Sequence, residues 1–457
     1  MTILFLLLNL YNGNYLINTR FANMKYANHK TILTIVFLIN TTLGSNFYSQ
    51  NDIWLNKNES ENYTARHECS FVQAGDAFIM FGGREKAKQL DTYDFKADTW
   101  YLGGEAPKEF NHFQATSYEG FVWVIGSFKT NTFPKEEPAD FIWLYYPPTK
   151  TWIKGPEIPK YRRRGGAGLA IHNGKFYIVG GNTIGHDGGY VNWFDVYDPV
   201  LNTWNILDDA PNARDHFSAV VTNDKLYALG GRQSGGEGGV FAPLVAEVDV
   251  FDFKLKSWFN LNQPLPTPRA APAVALFNNQ LFVIGGEGEK KGPAYNSVEA
   301  YDLNTNHWNK KEDMHYPRHG TQAIVSGKGI YVAAGSPNRG GGRQHNMEVY
   351  NKDKPKGKPL IASKLKAPKK IKIAPNSVKS ILLKPEKGNT GIYISEISIQ
   401  GDTTQLDIKS NTAQQLIPRH KHTVLDLLYS GNAKTLRAEI IIRYNGNCTE
   451  TILVTSK

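Results

Sequence analysis

The stretch Arg164–Trp204, RGGAGLAIHNGKFYIVGGNTIGHDGGYVNWFDVYDPVLNTW, sets the pattern for most of the chain. An apolar run ends in Gly180-Gly181, a polar loop follows, and a second run closes on Tyr197-Asp198 ahead of Trp204. The same order returns five more times. Its first glycine position falls at Gly82, Gly126, Gly180, Gly230, Gly285 and Ala334, a spacing of roughly fifty residues that marks a repeat array rather than a string of unrelated domains. Two units are altered, reading Gly126-Ser127 and Ala334-Gly335. An aromatic residue stands seven positions before a tryptophan in Tyr93/Trp100, Tyr145/Trp152, Tyr197/Trp204, Phe251/Trp258 and Tyr301/Trp308.

These residues resemble the kelch repeat, a diglycine followed by a spaced tyrosine and tryptophan, across residues 54–351. The resemblance implies an all-β fold, a six-bladed β-propeller in which each unit is one four-stranded blade. The physical reading agrees. A single blade cannot bury both of its faces, so neighbours must stack. The pairs Gly82-Gly83, Gly180-Gly181, Gly230-Gly231 and Gly285-Gly286 permit a turn that a Cβ would obstruct, and the aromatic pairs can fill the wedge between blades. The sixth unit ends at Tyr350-Asn351 without its tryptophan, while Trp54 stands as far before Arg66 as Trp152 stands before Arg164. An amino-terminal strand carrying Trp54 is therefore expected to complete the sixth blade and close the ring.

Outside the repeats the chain changes character. Lys352–Lys372 holds nine lysines and one aspartate, most of the net charge of +10, and reads as a solvated Lys/Pro linker over 352–368 rather than a nucleic-acid site. Residues 369–457 carry β-branched runs parted by Gly/Asn turns, the pattern of a small immunoglobulin-like sandwich, similar to hydin- and abnormal-spindle-type modules. Within residues 1–50, basic residues from Met24 precede the apolar run Thr31–Ile39, which fits a secretory signal cleaved near Ser45–Gln50 and is too short to span a membrane. The expectation is a secreted, surface or periplasmic protein. Cys69 and Cys448 fall in different domains and read as free thiols.

One further recurrence bears on function. An arginine sits sixteen residues before the first glycine position in five units, as Arg66, Arg164, Arg214, Arg269 and Arg318, with Phe110 in the second. The start of the first strand and the end of the second lie on one face of the blade. The residues just past the glycines, Arg84, Phe128, Asn182, Arg232, Glu287 and Ser336, join that face. The expectation is an arginine-lined axial mouth that holds an acidic glycan or acidic protein segment, without a cofactor. In kelch propellers that bind acidic peptides, the resemblance places ligand-contacting arginines at this repeat position. The open alternative is that the arginines pair with carboxylates of the neighbouring blade and only build the ring. Copper-radical chemistry, known from some secreted propellers, would need a Tyr–Cys crosslink and paired histidines. His112 and His216 occupy equivalent positions two blades apart and read as repeat consensus, so no metal is expected. A second enzymatic reading is a sugar mutarotase or epimerase acting on an acidic sugar such as sialic acid, with Glu287, Glu237 or His186 as acid–base candidates.

Overall fold

A computed structural model describes residues 3–11, 14–22, 53–57, 62–351, 354–401, 404–410, 412–431 and 436–457. The amino-terminal unit contains an antiparallel hairpin of Ile3–Tyr11 and Asn14–Ala22. The candidate signal core Thr31–Ile39 lies outside the described residues.

From Trp54 onward the chain builds six four-stranded antiparallel sheets, the blades of a β-propeller. The third blade is typical, with strands Gly168–His172, Lys175–Val179, Phe194–Asp198 and Thr203–Leu207 paired in sequence order. The first strand of each blade touches the first strands of its two neighbours, and the sixth touches the first, so the ring closes.

The seven-residue spacing of the aromatics now has a cause. A tight turn between strands three and four sets Tyr197 directly opposite Trp204, and the same register pairs Tyr93 with Trp100, Tyr145 with Trp152, Phe251 with Trp258 and Tyr301 with Trp308. Their ring centroids lie 5.1–6.1 Å apart, close enough for cross-strand aromatic packing. In the sixth blade the missing partner comes from the amino-terminal strand Trp54–Asn56, where Trp54 faces Tyr350 at 5.4 Å. Its indole N–H donates to the Glu312 carbonyl at 3.0 Å.

The diglycines are the joints between blades. The second glycine N–H donates to a backbone carbonyl of the next blade: Gly83 to Phe110, Gly181 to Arg214, Gly231 to Arg269, Gly286 to Arg318 and Gly335 to Arg66, at 2.7–2.8 Å. The first glycine is pressed against that same carbonyl. A Cβ on Gly180, at φ +60°, would lie 2.6 Å from the Arg214 oxygen.

Beyond the propeller, two sheets share one apolar core. One holds Lys364–Lys366, Ser377–Glu386, Thr423–Tyr429 and Leu406–Ile408; the other holds Lys370–Ile373, Cys448–Ser456, Arg437–Tyr444, Ile392–Gly401 and Gln415–Ile417. The first strand lies inside the span read as linker, because Leu365 is needed in the core. The strand after Ile392–Gly401 joins the opposite sheet before Gln415–Ile417 returns beside it, which departs from the variable-type immunoglobulin order. The unit is a two-sheet sandwich.

The basic segment is not a free spacer. Gln73 Nε2 donates to the Lys356 carbonyl at 2.8 Å, and Leu360 packs against the core of the first two blades. The sandwich inserts Tyr393 and Leu416 among Phe121, Trp123 and Tyr146 of the second blade. The Leu416 and Gly391 N–H groups donate to the Pro199 and Glu119 carbonyls at 2.7 and 2.8 Å. Glu119 belongs to the turn between strands one and two, so the docking face is the end of the ring opposite the diglycines.

Closure through Trp54 yields a direct expectation. Trp54→Ala should destabilise the propeller by about 3–5 kcal/mol, the usual cost of removing a buried aromatic, measured as a lower midpoint of denaturant unfolding.

Candidate functional site

The five repeat arginines do not line the mouth. Arg66, Arg164, Arg214, Arg269 and Arg318 are all 2% exposed or less. Each guanidinium donates to the carbonyl of the first glycine position of its own blade: Arg66 to Gly82, Arg164 to Gly180, Arg214 to Gly230, Arg269 to Gly285 and Arg318 to Ala334, at 2.6–3.0 Å. That bond is the reason for the sixteen-residue spacing. Each also pairs with a carboxylate on the third strand of the same blade: Asp91, Asp195, Asp249, Glu299 and Glu348 respectively. The ligand-binding expectation for these five is corrected. The guanidinium is spent inside the blade, and the partner comes from its own blade rather than the next.

A sequence signal for this pairing exists. The acid stands two residues before the repeat aromatic, as in Asp195 and Tyr197, in the five units that have the arginine. In the second unit the acid position is Trp143 and the arginine position is Phe110, and the two rings pack at 6.3 Å. Loss of the cation and loss of the anion occur together, as buried charge requires. Burial pulls Arg214 down and pushes Asp249 up despite their attraction. The pair is therefore held against desolvation by the rest of the blade.

The mouth is lined by other positions. A cavity of about 390 Å³ is bounded by His67, Glu68, Arg84, His112, Asn131, Phe133, His186, Arg232, Phe241, Glu287 and Gly340. Of the predicted rim residues, Arg84, Arg232 and Glu287 do meet here. Arg84 pairs with Glu136, and its Nη1 donates to Asn131 Oδ1 at 2.8 Å. Arg232 pairs with Glu287, whose other oxygen accepts the Gly340 N–H at 2.7 Å. Asn182 and Ser336 are buried and bond through their backbones to Gly165 and His319. Phe128 is buried and Glu237 is exposed on its loop.

Two positions after each arginine, or after Phe110 in the second unit, stand Glu68, His112, Gly166, His216, Ala271 and Gly320; the sequence reading singled out His112 and His216 as repeat consensus and passed over the other four. All six take a positive φ of +47° to +68°, and each comes from a different blade. Backbone bonds link them around the axis, with His112 N–H donating to Glu68, Gly166 to His112, Ala271 to His216 and Gly320 to Ala271. Below this girdle Gln114 and Gln322 cross the axis, bonding to Leu169 and Ala219 and to Phe71 and Ala115, and the space shrinks to about 40 Å³. The mouth is a blind cup.

The cup is dense in titratable groups. Burial pushes His112 well below the usual imidazole range and pushes His186 down too. For His319 burial acts in the same sense but is outweighed by Glu287 and Glu68, which raise it. Glu68 is held well below the ordinary carboxylate range, because His112 and His319 together outweigh its burial. Burial also pushes the Cys69 thiol up to about 12, so it is an inert thiol, and both cysteines are free. Among the described residues no helix is long and apolar enough to cross a membrane.

The KLHDC2/KLHL20/DRC7 Kelch-repeats domain matches residues 47–231 and 205–335. Kelch-like protein terF of Aspergillus terreus is 28% identical over 284 residues, covering 59% of this chain and 61% of that protein. Kelch-like protein 25 of Xenopus tropicalis is 24% identical over 272 residues, covering 58% and 43%. The match thus spans less than two thirds of either relative. Among solved structures, YjhT superimposes with a TM-score of 0.54 at 17% identity, covering 64% of this chain and 99% of YjhT, a likeness of fold.

Removing a blade arginine strands its carboxylate in a dry interior. Arg214→Ala should cost about 3–5 kcal/mol, read as a lower melting midpoint. The charge-free pair of the second blade makes the contrast: Phe110→Leu, which strands no charge, should lower the midpoint less than Arg214→Ala does.

Proposed function

This chain belongs to the kelch-repeat family, and we propose that it is an exported binding propeller, not an enzyme, whose axial cup receives an acidic protein segment or acidic glycan. The carrying observation is the cup itself, a cavity of about 390 Å³ with arginine and phenylalanine together on its wall. Arg84 is the rim arginine with a reachable side chain, 16% exposed, and its planar fork suits a carboxylate. Phe133 is 59% exposed beside it, with the Arg84 guanidinium 5.8 Å from the ring centroid. Ile184, 52% exposed, sits on the neighbouring loop, which is tied to Pro134 by the His186 N–H. An exposed aromatic and aliphatic next to a charged recess is the composition of a binding hot spot. The sandwich and the basic segment occupy the other end of the ring, so the cup stays clear.

Peptide and glycan arrays probed with the protein and with Arg84→Lys and Phe133→Ala test this reading. Binding of an acidic ligand should weaken at least roughly tenfold in each variant, since each removes a hot-spot contact, while the melting temperature holds. Unchanged binding in both variants overturns it.

The imidazoles and carboxylates that share the cup favour a second reading, mutarotation or epimerisation of an acidic sugar. Against it, Glu287 is engaged by Arg232 and the Gly340 N–H, and His186 by Glu136. Anomer interconversion of N-acetylneuraminate, followed by NMR, decides it. A rate unchanged by the protein removes the enzyme.

A further inference from the structure

We propose that His112, His186 and His216 form a three-histidine site for one divalent transition-metal ion of the zinc type, set in the floor of the axial cup. The site goes beyond the binding role above and does not depend on it.

Three loops of three consecutive blades bring these rings together. Their centroids are 4.5, 4.9 and 5.1 Å apart, and one ligating nitrogen from each lies within 4.8 Å of the others. All three residues are at least nine-tenths buried. The rings are also oriented. His112 Nδ1 meets Asn111 Oδ1 at 2.7 Å, His186 Nδ1 meets both Glu136 oxygens at 3.1 Å, and His216 Nδ1 bonds Asp215 Oδ1. Each Nδ1–H thus donates to an oxygen, which fixes the tautomer and leaves the Nε2 lone pair free. An imidazole whose second nitrogen is held by a carboxylate or amide oxygen is the arrangement metal-ligating histidines use.

A second observation points the same way. His216 Nε2 is buried and has no hydrogen-bond partner, a costly state for a polar atom unless a ligand fills the gap. His112 Nε2 has Glu68 Oε2 at 3.6 Å, beyond hydrogen-bond length. The charges around the site suit a dication. Arg84, 3.5 Å from His186 Nδ1, is offset by Glu136, and Arg232 by Glu287, while Glu68 and Asp215 add negative charge. Tetrahedral ligation at about 2.1 Å needs nitrogens about 3.4 Å apart, so the rings must close by roughly 1 Å. Three imidazoles with an open fourth position facing a cavity form a set suited to zinc, copper, nickel or iron rather than calcium or magnesium.

The test uses the full chain, free of any histidine tag and stripped with a chelator. Titration calorimetry with Zn²⁺ should give one ion per chain, and Co²⁺ should give the intense visible absorption of a four-coordinate site. His186→Ala and His216→Gln should each weaken binding on the order of a hundredfold, and Asp215→Asn about 10–100-fold, while His307→Ala, on an exposed outer strand, binds as before. Circular dichroism verifies that each variant is folded. If a variant does not fold, the Co²⁺ spectrum of the unaltered chain decides alone. Absence of one-to-one binding in the unaltered protein overturns the proposal, and so does unchanged binding in folded His186→Ala and His216→Gln.

Discussion

The ring depends on a two-sided bond made at one residue in four of the blades, at Arg66, Arg214, Arg269 and Arg318. There the arginine donates from its guanidinium to the carbonyl of the first glycine position of its own blade, and its own carbonyl accepts the N–H of the preceding blade's second glycine. The side chain thus ties strands one and two together while the backbone ties one blade to the last. Glycine suits that close approach, since a Cβ on Gly285 would lie 2.2 Å from the Arg318 oxygen. At Ala334 the sixth blade accepts a non-glycine at φ +58°, and its second position, Gly335, still makes the bond. The joint tolerates strain more readily than loss of the donor.

A guanidinium buried this deeply needs an anion, and the chain supplies one from the third strand. The second blade shows that the demand is electrostatic rather than a matter of shape. There the aromatic pair Phe110 and Trp143 fills the same place with no charge at all, and Phe110 still offers its carbonyl to Gly83. Packing can replace the ion pair because the pair's attraction is largely offset by the desolvation of both partners. What cannot be tolerated is half of it.

Six repeats, closure through Trp54 and the aromatic plates could all be read from the sequence, because each rests on spacing along one chain segment. Seven residues around a hairpin place Tyr197 on Trp204 whatever the rest of the molecule does. The role of the arginines could not be read from spacing alone. Arg164 and Gly180 are sixteen residues apart in either reading, and only the direction of the side chain separates a rim from a joint. The acid two positions before each aromatic held the answer, in its absence from the one unit that lacks the arginine. The histidine trio was less legible still. His112 and His216 share a repeat position, but His186 reaches them from a long loop outside the repeat register. Nothing periodic marks it.

That mismatch explains where variation collects in this protein. Positions that carry the ring are the arginine, its acid, the glycines and the aromatic pair, and they leave the residue two after the arginine with little structural work beyond its left-handed backbone. A glycine suffices there, as Gly166 and Gly320 show. Glutamate and histidine at Glu68, His112 and His216 are therefore not required by the fold, although they occupy a backbone region that disfavours side chains. Placing polar side chains at strained, axis-facing positions has a cost that packing does not recover, since His216 leaves a nitrogen unbonded. A strained, under-satisfied polar cluster on an otherwise over-determined scaffold is where function is expected to reside. The sandwich reinforces the asymmetry by packing Tyr393 and Leu416 against the second and third blades. With the middle of the axis crossed by Gln114 and Gln322, a ligand that enters from the cup meets His112 and His186 on its wall.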